Sequence, residues 1–155
     1  MKQTVQLRKI QEKMAPGVIT RDGFLGGDTR ALVDILTADD AEVLRLGLSH
    51  RDIADRMIEL RDAGTAGLGE PIGVPPHFEV SVDSVRGKLP CPFGDPGMFQ
   101  KINTTVRNVR LDRTMVYTDL HIHLIGSHAF YEGKASPFRL EPRDLAEILE
   151  IAPAD

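Results

Sequence analysis

The stretch MVYTDLHIHLI, residues 115–125, decides the fold. Its apolar residues Val116, Leu120, Ile122 and Leu124 alternate with Tyr117, Asp119, His121 and His123. Successive side chains of a strand point to opposite faces, so this spacing predicts a strand with one buried and one polar face. His121 and His123 then share the polar face, roughly 7 Å apart.

The segments upstream supply its neighbours. HFEVSVD (77–83) alternates Phe78, Val80 and Val82 against polar residues and reads as a first strand. KINTTVRNVRL (101–111) reads as a second. Its apolar positions are even through Val106 and odd from Val109, which predicts a bulge near Arg107 or Asn108. LDRT (111–114) is a turn. RGKLPCPFGDPG (86–97) is expected not to pair, because Pro90, Pro92 and Pro96 lack the backbone donor. GTAGLGEPIGVPP (64–76) has the composition of a connector. It follows a helix C-terminus rather than leading into a helix, so it is not a phosphate cradle.

The first 64 residues change period. Leu7, Ile10 and Met14 recur at helical spacing ahead of Pro16-Gly17. A helix is expected in GGDTRALVDIL (26–36), capped by Asp28 or Thr29, and another in TADDAEVLRLG (37–47), capped by Thr37. SHRDIADRMIELRDAG (49–64) is the clearest, with Ser49 as cap and Ile53, Met57, Ile58 and Leu60 as its buried stripe. Near the chain end, Pro142 suits the first position of a last helix over 142–150, with Leu145, Ile148 and Leu149 on one face. Helices followed by strands predict an α+β fold: N-terminal helices (1–64) packed on a three-stranded antiparallel sheet (77–125), with a C-terminal helix.

A length of 155 residues suits one domain spanning 1–155, and 41% hydrophobic with 27% charged residues is an ordinary globular balance. No apolar run reaches the length of a membrane span. The lone Cys91 precludes an internal disulfide, and the basic N-terminus lacks the apolar core of a signal peptide. A cytoplasmic protein is the expectation. The net charge of −4 conceals a basic middle: Arg86, Lys88, Lys101, Arg107, Arg110 and Arg113 face only Asp95 and Asp112 within 86–113. Lys101, Arg107, Arg110 and Arg113 are therefore candidates for binding RNA, DNA or another polyanion, against the alternative that they are a solvated surface.

Two imidazoles on one strand face can converge on a divalent transition metal, provided a third donor joins them. His128 is the first choice, since Gly126 lets the chain turn back, and Asp119 is the second. Glu132 lies within reach, and Cys91 or His77 could approach from elsewhere. The same histidines could serve acid–base chemistry, given an ordinary pKa near 6.5. The remaining reading is a wet polar face with no site. Cys91 as a nucleophile would require an activating base beside it.

DLHIHL (119–124) resembles the first-strand metal motif of the amidohydrolase superfamily and the opening of the polymerase-and-histidinol-phosphatase family. That resemblance implies a barrel of about 250 residues supplying the other ligands. Only residues 124–155 follow His123, so the barrel is not expected. A cupin motif requires a glutamate where Ser127 and His128 stand. LTADDAEVLRLGLSHRDIADRM (36–57) resembles the DNA-binding domain of quorum-sensing transcription regulators in Leu36, Thr37, Glu42–Leu48, Ser49, Ile53 and Ala54. That family implies a basic recognition helix next, and IELRDAGTAGLGEPIG contains none.

These residues lead to a small binding or protein-interaction module. The alternative is a metal-dependent or histidine-based enzyme using His121, His123 and His128, and the third reading is polyanion binding. Exposed strand edges lead to an expected homodimer.

Overall fold

The computed structural model describes residues 2–153. Three helices come first: α1 (Val5–Lys13), α2 (Leu32–Arg45) and α3 (His50–Thr65). Four antiparallel strands follow in sequential order: β1 (Ile72–Val74), β2 (Phe78–Pro90), β3 (Met98–Asn108) and β4 (Arg113–Thr118). Two helices close the chain, α4 (Asp119–His128) and α5 (Pro142–Ile148). The class is α+β with an antiparallel sheet, as the sequence predicts, and the details differ in five places.

The largest difference is the stretch 115–125. Its first four residues belong to β4, and Asp119 onward is helix α4. Thr118 is the cap: its Oγ1 accepts from the His121 backbone N–H, and its own N–H donates to His121 Nδ1. The alternation at 116–124 is genuine, yet it is not decisive. Leu120 and Leu124, four residues apart, enter one apolar cluster with Phe24, Leu32 and Phe130. Ile122 and Ile125, three apart, enter the other with Met57 and Tyr117. A helix wedged between two cores buries residues on both flanks, and its apolar positions then mimic a strand.

The sheet has a fourth strand where a loop was expected, since Ile72–Val74 pair with Phe78–Val80. The arm of β2 extends through the proline segment to Pro90, opposite Met98. Pro90 sits at the last position, where a missing donor costs least. The irregularity lies between Val85 and Lys88 rather than at Arg107 or Asn108. Asn108 takes the core position after Val106 because its Nδ2 donates to the Ile148 carbonyl at 2.9 Å. Val109 is already outside the strand and exposed, so the phase change marks the strand's end.

Residues 32–45 form one helix instead of two, and Thr37 donates to the Val33 carbonyl from mid-helix instead of capping. The open N–H groups of Leu32 and Val33 are taken by Gln11 Oε1 and Gln3 Oε1, so side chains around α1 cap α2. Ser49 caps α3 as expected, in a reciprocal box with Asp52. Pro142 opens α5, which ends at Ile148.

α3 lies across the sheet. Ile53, Ala54, Met57 and Leu60 pack with Phe78, Val80, Val106 and Tyr117, and the Tyr117 hydroxyl donates to the Met57 carbonyl at 2.8 Å. After α3 the chain turns into β1, so among the described residues no helix stands where the resemblance to quorum-sensing regulators requires a recognition helix. Arg139, 6% exposed, binds Asp39, 8% exposed, through two hydrogen bonds and also donates to the Glu132 carbonyl. Burial opposes the Arg139 charge, but its carboxylate partners Asp39 and Glu141 outweigh burial and keep its pKa above the usual arginine value. Among the described residues no helix is long and apolar enough to cross a membrane.

Candidate metal centre

Because α4 is a helix, His121 and His123 point to different sides, roughly 200° apart at 100° per residue. His121 turns inward. Its Nε2 lies 2.8 Å from Glu132 Oε2, and Nδ1 already accepts from the Thr118 N–H, so the ring donates to Glu132. Ser136 Oγ donates to the second Glu132 oxygen. Both ring nitrogens are engaged within the protein.

His123 and His128 instead converge beside the loop joining β2 to β3. That loop reads CPFGD over 91–95, and the Gly94 N–H donates to the Cys91 carbonyl at 3.0 Å. The turn, with Gly94 at φ +92°, carries Asp95 back toward Cys91. His128 Nε2 is 2.7 Å from Asp95 Oδ2 and 3.6 Å from Cys91 Sγ. His123 Nε2 lies 2.9 Å from the same Asp95 oxygen, but out of line for a hydrogen bond, so this buried nitrogen has no hydrogen-bond partner among the described residues. One ligand atom from each of Cys91, Asp95, His123 and His128 falls within 4.8 Å of every other.

Aromatic rings fix the imidazoles. Phe93 stacks on His128 with centroids 4.2 Å apart and planes 4° apart, and Phe99 lies 4.4 Å from His123. The Cys91 thiol is buried among Met14, Phe24, Leu120 and Leu124. Both histidine side chains are 19% exposed, and Asp95 is the most open member at 39%. Burial, then the neighbouring His128, lowers the His123 pKa and favours the neutral imidazole. The hydrogen bond from His128 holds Asp95 below the usual carboxylate range.

Two imidazoles, a thiol and a carboxylate match the donor types of a four-coordinate zinc-class site. A thiolate ligand disfavours magnesium and calcium, which take oxygen donors. Ligand bonds of about 2.0–2.3 Å set tetrahedral edges at roughly 3.3–3.7 Å, so an ion would spread the Asp95–histidine distances by a few tenths of an ångström.

Of the sequence candidates, His123 and His128 belong to this cluster and His121 does not. Asp119 pairs with Arg61, and His77 pairs with Glu150. Asp95 was not among the sequence candidates. Its only local sign is the tight CPFGD turn, which brings a carboxylate near the thiol. Arg107 pairs with Glu79 and Asp112, Arg110 with Glu150, and Arg113 with Asp144 and Glu147. Lys101 lies apart from these pairs and lines a cleft.

No family model, no curated protein and no solved structure matches this chain.

Proposed function

We propose that this protein is a small metal-stabilised binding module that holds one zinc-class ion between Cys91, Asp95, His123 and His128. The observation that carries this reading is the convergence of four ligand atoms within 4.8 Å, one of them the His123 Nε2, which has no hydrogen-bond partner among the described residues. Four protein donors complete a tetrahedral shell, which suits a structural ion better than a catalytic one with an open position. The ion would join the tip of the β2–β3 arm to the C-terminal turn of α4.

Elemental analysis of protein purified without chelators or nickel resin tests the reading, together with cobalt substitution. Near-stoichiometric zinc is the expected result, with a thiolate-to-cobalt charge-transfer band that disappears in Cys91→Ser. Metal-free protein that also gives no cobalt band would overturn it, leaving Asp95 hydrogen-bonded to His128 with His123 beside it.

A further inference from the structure

A cleft of about 520 Å³ opens between the β2–β3 arm, the 19–24 segment and the start of α4. Its walls include Phe24, Leu89, Phe99, Leu120 and Phe138. Its size and apolar walls are those of a small-molecule site rather than of a surface irregularity. His121 and Glu132 also line it, but they are committed to each other.

The charged groups on the rim decide which ligand fits. Arg21 stands in the 19–24 segment and Lys101 on β3, and neither has an ion-pair partner among the described residues. Most arginines of this protein are paired: Arg30, Arg45, Arg51, Arg107, Arg113 and Arg139 all hold carboxylates. Two more cations with no ion pair among the described residues, Arg86 and Lys88, lie on the same arm as Lys101. Asp22 and Glu132 are the acids of the lining, but Glu132 is held by His121 and Ser136, and with Arg86 and Lys88 on the arm the cations outnumber the acids. Thr20, next to Arg21, contributes to the same wall. Two cations without an ion-pair partner among the described residues, beside an apolar chamber, form a receptor for an oxyanion attached to an apolar body.

We infer that this cleft binds a small monocarboxylate with an apolar body, its carboxylate drawn by Arg21 and Lys101 and its apolar part against Phe24, Leu89 and Phe99. This inference is independent of the metal reading, because none of the four proposed metal ligands lines the cleft.

Octanoate is the probe, with octylamine and 1-octanol as charge controls, on full-length protein as purified. Methyl shifts in NMR spectra should move at Thr20, Leu89 and Leu120 and saturate with a dissociation constant of roughly 1 mM or tighter. Lys101→Glu and Arg21→Glu should each weaken octanoate binding about tenfold, because each replaces an attraction by a repulsion. Both positions are at the rim, and an unchanged melting temperature reports an intact fold. Octylamine or 1-octanol binding as tightly as octanoate would overturn the inference. So would undisturbed methyl signals, or unchanged octanoate affinity in both folded variants.

Discussion

Cys91 Sγ lies 3.6 Å from His128 Nε2, although 37 residues separate them in the chain. The contact places the tip of the β2–β3 arm against the last turn of α4. An ion held there would bind the folded state and not the dispersed ligands of the unfolded chain.

Linkage turns that difference into stability. At a free zinc concentration of 100 times the dissociation constant, the folded state gains about 2.7 kcal/mol. For a chain of this size that raises the melting temperature by roughly 5–10 °C. The shift should vanish in a Cys91→Ser/His128→Ala double variant. Thermal unfolding with and without zinc measures it, and equal shifts in both proteins would place the binding elsewhere.

Arg139→Met should destabilise the fold by about 3–5 kcal/mol. The substitution leaves the Asp39 carboxylate buried and unpaired and frees the Glu132 carbonyl as well. Urea unfolding of the two proteins gives the difference. A loss under about 1 kcal/mol would mean that water reaches Asp39 and that the pair behaves like a surface bridge.

Glu150 links the chain end to the sheet. Hydrogen bonds from Arg110, Asn108 and His77 push its pKa down from 4.5 to about 2. A lowered folded-state pKa gives stabilisation that is fully present above the ordinary value and lost as pH falls through about 2. Glu150→Gln should therefore lower the urea midpoint at neutral pH and flatten its decline on the acid side. Parallel acid slopes in the variant and the parent would show that Glu150 is not the group responsible.

Gly64→Ala isolates the packing of α3 on the sheet. Helix propensity favours alanine by about 1 kcal/mol. A Cβ at this position would lie 2.4 Å from Val80 Cγ1, and Val80 is fully buried with little room to shift. Overpacking of this kind costs about 1–3 kcal/mol, so the net change should be destabilising. A stabilised variant, seen as a higher urea midpoint, would show that α3 can lift from β2 without loss.

Local chemistry made much of the architecture legible. The Ser49–Asp52 box starts α3, Pro142 starts α5, and alternation at 77–83 gives the beginning of β2. Each signal depends on residues a few positions apart, whose geometry is set before any tertiary contact forms. The β4–α4 junction was different. Residues 119–125 satisfy a strand period and a doubly buried helix equally well, and only the Leu120–Leu124 and Ile122–Ile125 pairings with two separate clusters choose the helix. Whether α2 was one helix or two was settled in the same way, by Gln3 and Gln11 reaching its first turn from 30 and 21 residues upstream.

The candidate site divides along the same line. The sequence by itself determined that imidazoles, a thiol and carboxylates are available, and that His123 and His128 lie on one short segment. Tertiary structure alone separated His121 from them, because a helix rotates successive residues where a strand only alternates them. It also brought Cys91 and Asp95 to the histidines across more than 25 residues of chain. Such an encounter has no local signature: its position follows from the length of the β2–β3 arm and the angle of α4, and both are set by what the two apolar clusters bury.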